Sequence, residues 1–384
     1  MTAATATATL GSLRRRWVTA GAARPPNYLL LVATVGVLNV VGAVMVLSAS
    51  SVSSLTDYGS AWYFFERQVA WIAVAAAAFM LAARIDYHAW RRWVRPLLVV
   101  SLFLLLVVLI PGLGIQVAGS RRWLGAGLLR FQPSEIAKLA LLVYTADLLA
   151  RRAKELHDWR RVLRPVLIVL AVMCALVLRE PDLDSTIVLG LIAFTVLVAG
   201  GVRARHLTLV GGAAVVSATV LALAEPYRRA RVFAFLNPSS DASNATYQIS
   251  QSLIAIGSGG LTGVGLGAGR AKWLFLPNAH TDFIFAIIGE ELGLVGCLLV
   301  VSLFIAFGVI GTRIALRAPD RFGMLLAAGV TAWVVGQAAI NIGAVIGLLP
   351  VSGIPLPFIS FGGSALVFTM VAAGILGNVA RQAR

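Results

Sequence analysis

Charge is scarce in this chain, and acidic charge scarcest of all: 12% of its 384 residues are charged, and only 16 are Asp or Glu. An ordinary soluble domain carries roughly a quarter charged residues, so a water-covered globular surface is excluded. Cysteine is nearly absent as well. Cys174 and Cys297 each lie in an apolar run, far apart in sequence, and indicate neither a disulfide framework nor a metal site. Long polar stretches are also few.

What fills the chain is apolar: 59% hydrophobic residues and a mean hydropathy of +0.89. The composition is that of an all-α polytopic membrane protein. A spanning helix takes about 20 apolar residues, and the runs predict ten spans, near 28–50, 66–84, 95–111, 133–150, 163–179, 185–202, 207–224, 282–311, 322–348 and 358–380. Residues 1–27, with Arg14, Arg15, Arg16 and Arg24, look like the basic region of a signal peptide, but the apolar run that follows is too long for one. This predicts an N-terminal tail leading into an uncleaved first span, and one membrane domain over residues 28–384.

The net charge of +16 sits in short clusters between apolar runs, where topology explains it better than nucleic-acid binding. With a cytoplasmic N-terminus, most of the 32 Lys and Arg residues fall on the inner side, so both termini are assigned to the cytoplasm. Arg121, Arg122, Arg130, Lys138, Arg231, Arg270 and Lys272 are among the exceptions on the outer side, and cations held there against the bias are candidates for an anionic ligand. The connection from about 225 to 281 is the one long loop, and its mixed basic and apolar character predicts helices lying along the membrane surface.

Several segments carry chemistry. Glu135 and Lys138 share a face of the fourth span, either as a self-satisfied ion pair or with Lys138 binding phosphate and Glu135 orienting it; Trp123, in the loop before it, offers a plane to a sugar or isoprenoid. The cluster Arg179-Glu180-Pro181-Asp182-Leu183-Asp184 reads mainly as helix capping with an Arg179–Glu180 pair. The glycine run from Gly257 to Gly269 lacks the strand-turn-helix context of a nucleotide fingerprint and predicts close backbone packing. Next, KWLFLPNAHTDFIFAIIGEELG, residues 272–293, sets Asp282 at the start of the eighth span beside His280, where the helix end is expected to keep the carboxylate ionised. Glu290 and Glu291 lie roughly 12–13 Å further along the axis, leaving Asp282 a single base. Near the C-terminus Pro350, Pro355 and Pro357 with Gly353, Gly362 and Gly363 forbid a continuous helix, and Ser360 can satisfy freed backbone groups or bind substrate.

These segments together resemble the SEDS (shape, elongation, division and sporulation) family, over most of residues 28–381. The resemblance rests on MVLSASSV at 45–52, GSRRWL, FQPSEIAKLA, EPDL, GSGGLTGVGLG, LPNAHTDFIFAIIGEELG and GIPLPFISFGGS. YFFERQ at 63–68 and Gly289 before Glu290 are more similar to its division-type FtsW branch than to the elongation-type RodA branch. The chain departs from the family pattern at Asn278, at Asp184, where Gly is common, and at Phe361.

The resemblance implies a peptidoglycan glycosyltransferase of the bacterial cytoplasmic membrane that polymerises lipid II on the outer face. Asp282 is then the general base, and Arg122, Trp123, Glu135, Lys138, Arg270, Lys272, His280 and Ser360 are the candidate substrate contacts. The implied partners are a class B penicillin-binding protein, a transpeptidase, and other divisome proteins. No cofactor is demanded, and room is left for a divalent cation, magnesium or manganese. The rival readings are a lipid II flippase, a RodA-like elongation polymerase and a scaffold that only recruits a transpeptidase.

Overall fold

A computed structural model describes residues 25–117, 120–127, 130–156, 158–236, 244–273 and 275–383. Its long helices are α1 (Pro26–Tyr58), α2 (Tyr63–Arg84), α3 (Trp90–Val107), α4 (Pro133–Arg151), α5 (Arg164–Arg179), α6 (Leu183–Ala199), α7 (Ala204–Ala224), α8 (Pro226–Leu236), α9 (Asn244–Gly259), α10 (Ile284–Leu316), α11 (Arg321–Val345) and α12 (Gly363–Gln382). Ten of them fall on the ten expected spans, and α8 and α9 occupy the long loop. Seven are long and apolar enough to cross a membrane, α5 only when counted with the π-helical turn Trp159–Leu163 that leads into it. The other three fall short for local reasons: α6 has 17 residues, α3 opens with Arg91, Arg92 and Arg95, and α4 carries Glu135, Lys138, Asp147 and Arg151.

The helices divide by how they meet lipid. α7 has no fully buried residue and touches the bundle only through a side that includes Leu207 and Val210, so most of its apolar surface requires lipid. By contrast, α4 and α11 form the centre of the bundle, with α11 burying Phe322, Leu325, Leu326, Val330, Trp333 and Val334. One departure from an all-helical chain is a small antiparallel hairpin, β1 (Ile115–Val117) with β2 (Ser120–Trp123), between α3 and α4.

Three breaks in helical backbone shape the functional end. Pro133 starts α4 where its missing N–H costs nothing. α10 changes direction at Gly293, whose φ of 66° places it in the left-handed region. Residues 350–361 cross the bundle without regular structure, and they pass α1 so closely that a Cβ on Gly42 would lie 2.7 Å from Ile359 Cα. Irregular backbone in a membrane protein survives when covered by protein or lining a cavity. Here Asn341 and Gln337 of α11 supply its hydrogen bonds: Asn341 Nδ2 donates to Ile354 O at 2.7 Å and Gln337 Nε2 to Pro355 O at 3.0 Å.

Candidate active site

The turn before α10 is made by Asn278, which holds φ at 56°, a conformation Asn tolerates better than most side chains. Its carbonyl accepts from Thr281 N at 3.1 Å and Phe283 N at 3.3 Å, and Asn341 Nδ2 donates to Asp282 O at 2.8 Å. The backbone of Asp282 is therefore fixed from two sides while its side chain keeps partial access to solvent.

The expectation that the helix end depresses its pKa fails. The N-cap of α10 is Phe283, and no side chain caps the helix. Burial instead pushes the Asp282 carboxyl up to about 7, helped by the charge of Asp184 and opposed by Arg231 and Arg122.

Asp184, in the first turn of α6, comes to Asp282 through the irregular segment 350–361. Its Oδ2 accepts from Gly353 N at 2.8 Å, and a methyl group built on Gly353 would sit 3.3 Å from Asp184 Oδ2 and 3.9 Å from Asp282 Oδ2. Two carboxylates thus flank one glycine.

The two opposing cations are held by backbone. Arg122 Nε donates to Glu180 O at 3.0 Å, its Nη2 donates to Pro181 O, and Arg231 Nη1 reaches Val351 O at 3.3 Å.

The charge cluster at 179–184 is partly as expected. Asp182 caps α6, accepting from Ser185 N at 3.0 Å, and also accepts from Gln132 Nε2 at 2.8 Å. The expected Arg179–Glu180 pair is replaced: Arg122 binds the backbone of that turn, and both carboxylate oxygens of Glu180 are buried without a hydrogen-bond partner. Burial pushes Glu180 up to about 9, with Asp182 adding to the shift and Arg122 opposing it.

Glu135 and Lys138 are 3% and 2% exposed and form an ion pair at 2.8 Å. Lys138 Nζ also donates to Gln337 Oε1 at 3.3 Å and lies 5.1 Å from the Trp333 ring centroid. Trp333, Gln337 and Asn341 repeat every four residues along α11, so one helix face links this pair to segment 350–361 and to the main chain of Asp282. Asp282 and Lys138 are connected through that face; Lys138 is not among the charges acting on Asp282.

The glycine run packs as closely as its composition predicts, with a Cβ on Gly259 overlapping Gly289 O and one on Gly263 overlapping Glu291 O. Glu290 Oε1 accepts from Arg270 N at 2.6 Å, and Glu291 Oε2 from Gly267 N at 3.1 Å. Lys272 sits in the same network, its ammonium 2.8 Å from Glu291 Oε1, 3.1 Å from Ser48 Oγ and 2.7 Å from Gly267 O. The two glutamates therefore anchor the strap of residues 260–272, and the Lys272 charge is neutralised within it. The Arg270 side chain stays exposed.

His280 lies between Phe64 and Phe361, with ring centroids 4.5 and 5.7 Å away. Burial lowers its pKa to about 4, with Asp57 opposing, so it is neutral at physiological pH. Ser360 Oγ donates to Thr281 O at 2.6 Å and accepts from Leu356 N at 2.8 Å, holding two backbone groups of the irregular segments. Trp123 is half-buried at the end of β2, next to Arg122. Among the described residues no group of three or more His, Cys, Asp or Glu side chains is gathered in metal-binding fashion.

Asp184, Gln337 and Asn341 are the site members that motif reading missed, and Arg231 was read only as one of several outer-side cations. For the last two a signal was present, since Gln and Asn four residues apart in an apolar span must face protein or water.

Comparison with known proteins agrees with this architecture. Residues 28–384 match the FtsW/RodA/SpoVE family model, described as cell cycle protein. A probable peptidoglycan glycosyltransferase FtsW of Geobacter metallireducens is 41% identical over 341 residues, covering 89% of this chain and 91% of that one. The corresponding Mycobacterium tuberculosis protein is 44% identical over 93% of this chain and 68% of its own, and stage V sporulation protein E of Bacillus subtilis is 40% identical over 94% and 98%. Among solved structures, a chain from a peptidoglycan synthase complex that coordinates polymerization and crosslinking superposes with a TM-score of 0.75 at 28% identity, covering 92% of this chain and 97% of that one. The rod shape determining protein RodA of Thermus thermophilus superposes with a TM-score of 0.66 at 28% identity, covering 92% and 96%. A family model spanning nearly the whole chain, and full-length relatives at about 40% identity, carry one conclusion: the chain belongs to the FtsW/RodA/SpoVE family of cell cycle proteins, the SEDS family.

Proposed function

We propose that this protein is a division-type peptidoglycan glycosyltransferase that polymerises lipid II into β-1,4 glycan strands at the outer face of the cytoplasmic membrane, with both termini in the cytoplasm. Its names among relatives support the activity. The observation that carries the residue assignment is Asp282, half-buried, its backbone pinned by Asn278 and Asn341, its pKa close to neutrality.

In this reading the acceptor's GlcNAc 4-hydroxyl gives its proton to the Asp282 carboxylate as its oxygen attacks the anomeric carbon of the donor MurNAc. The bond to the undecaprenyl pyrophosphate breaks with inversion, and its electron pair leaves on the pyrophosphate. A base with a pKa near the working pH is a better proton acceptor than an ordinary carboxylate, and such catalysis is worth about 10²–10⁴-fold. Arg122 and Arg231 supply positive charge beside the reacting centre, and because backbone carbonyls hold them, little reorganisation is needed as charge develops. Exposed Arg270 is the further cation available for the leaving group. Glu135, Lys138, Lys272, His280 and Ser360 act in this scheme by holding the frame, since their polar groups are turned to protein partners or, for His280, to aromatic rings. Trp123 offers its ring to sugar or isoprenoid. The transpeptidase partner, a class B penicillin-binding protein, is supported by the resemblance to a synthase complex.

The assay is purified protein with its cognate transpeptidase and labelled lipid II. Glycan polymerisation is expected to be lost in Asp282→Ala, and polymerisation that persists in that variant sinks the assignment. A flippase remains distinguishable, because it would translocate lipid II without making glycan.

A further inference from the structure

At the end of α4 opposite Glu135, a cavity of about 510 Å³ opens between the start of α3 and the last turn of α4. Its rim carries five guanidinium groups, from Arg91, Arg92, Arg95, Arg151 and Arg152, and one carboxylate, from Asp147. Asp147 is already shared, 2.9 Å from Arg151 Nε and 3.5 Å from Arg91 Nε. The second of these is too long for a hydrogen bond, and Arg91 Nε is buried with no acceptor. Arg92 and Arg95 form no ion pair among the described residues, and Arg152 donates to Arg161 O. The positive-inside tendency explains why arginines gather on one membrane face. It does not explain why five of them converge on one cavity, where like charges repel unless an anion enters.

The floor is different in kind. Val94, Leu98 and Leu148 line it, three residues further into the bundle than Arg91, Arg95 and Arg151 respectively. α4 has 19 residues and is therefore about 28 Å long, close to the hydrocarbon thickness of a bilayer. The cavity accordingly lies at the headgroup depth of one leaflet, with cationic and apolar lining, and further along α3 the apolar side chains of Val99 and Phe103 are exposed to lipid. Tyr144 adds a hydroxyl at the wall.

We infer that this cavity binds the phosphate of an anionic membrane phospholipid, clamping α3 to the end of α4 on the face opposite Asp282. A free phosphate would use the same cations but leave the apolar floor empty, so the lipid is the better chemical match. The inference does not depend on the glycosyltransferase reading.

The test uses the purified full-length protein in detergent with fluorescently labelled phosphatidylglycerol. Saturable binding is expected, displaced by unlabelled phosphatidylglycerol and not by phosphatidylcholine. The double variant Arg92→Gln/Arg95→Gln should weaken binding by about tenfold or more, from roughly 1 kcal/mol for each cation at a headgroup. Arg313→Gln/Arg317→Gln removes the same charge from exposed positions at the same end of the bundle and should change binding by less than about twofold. Equal losses in the two double variants, or equal displacement by phosphatidylcholine, would overturn the proposal by reducing it to general surface attraction. Displacement by millimolar inorganic phosphate would overturn the lipid assignment in favour of a free anion. Should the first double variant melt before the assay temperature, Arg95→Gln alone, whose side chain is exposed, carries the same prediction at about half of the size on a logarithmic scale.

Discussion

Replacing Asp184 by Asn should move the acid limb of the polymerisation rate to lower pH without abolishing activity. Asp184 Oδ2 and Asp282 Oδ2 both lie against the same Gly353 position, at 3.3 and 3.9 Å, so the two oxygens are within about 7 Å of each other. Two unit charges at that distance interact by about 2.4 kcal/mol at an effective dielectric of about 20 and by about 0.6 kcal/mol in bulk water. Dividing by about 1.4 kcal/mol per pKa unit gives a shift between about 0.4 and 1.7 units, and the partial exposure of both side chains favours the middle of that range.

A base must be ionised to accept a proton, so activity carried by Asp282 rises with pH through its pKa of about 7. Removing the Asp184 charge relieves the repulsion, and the midpoint should fall toward pH 6. Asn retains an oxygen that can accept from Gly353 N, so the variant tests charge rather than the hydrogen bond; Asp184→Gly, which removes both, should show the same shift with an additional loss at the plateau. The measurement is kcat/KM for labelled lipid II between pH 5 and 9 with the transpeptidase partner held constant. An unchanged midpoint accompanied by a lower plateau would refute the electrostatic argument and leave Asp184 a structural residue.

Other perturbations reach the scaffold. Glu180 is protonated when folded, with a pKa of about 9 against 4.5 for the free side chain, so stability from this group is present at low pH and is lost as pH rises from about 4.5 towards 9. Glu180→Gln should flatten the fall in melting temperature between pH 6 and 8.5, and an unchanged slope would count against the buried neutral acid. Lys272→Met leaves Glu291 buried without its cation and should cost about 3–5 kcal/mol; pairing it with Glu291→Gln should recover part of the loss, read by thermal melting and by protease sensitivity of the strap. Gly263→Ala adds overlap with Glu291 O to a left-handed backbone, whereas Gly260→Ala meets only the backbone penalty of about 1–2 kcal/mol, so the first should melt well below the second.

Helices and breaks were legible where hydrophobic length or proline and glycine set them. The ten spans follow from apolar runs, and segment 350–361 from three prolines that cannot continue a helix. The glutamate pair at 290 and 291 was readable as separate from Asp282, because helical rise alone parts them. Legibility ended where partners come from distant sequence. Nothing local to Arg122 says that it will hold the backbone of residues 180 and 181, and nothing local to Lys272 distinguishes a ligand-binding cation from one paired with Glu291 across 19 positions. The reading of Asp282 failed for the same reason: helix position was visible, but the burial and the Asp184 carboxylate that dominate it were not.

That failure bears on how the site works. A carboxylate at a helix N-terminus would be a weak base, held ionised by the field that attracts protons least. The chain avoids this by placing Asp282 one residue before the N-cap Phe283, so that the main chain is fixed through Asn341 while the carboxyl group makes no capping hydrogen bond to α10. Asp184 then raises proton affinity, and Arg122 and Arg231 limit the rise so that the group still ionises near neutrality. Both arginines are tethered to the connections that carry the carboxylates' neighbours, Arg122 to residues 180 and 181 before α6 and Arg231 to Val351 beside Gly353. Any motion that separates α6 from segment 350–361 must therefore change the proton affinity of Asp282 and the position of its counter-charges together.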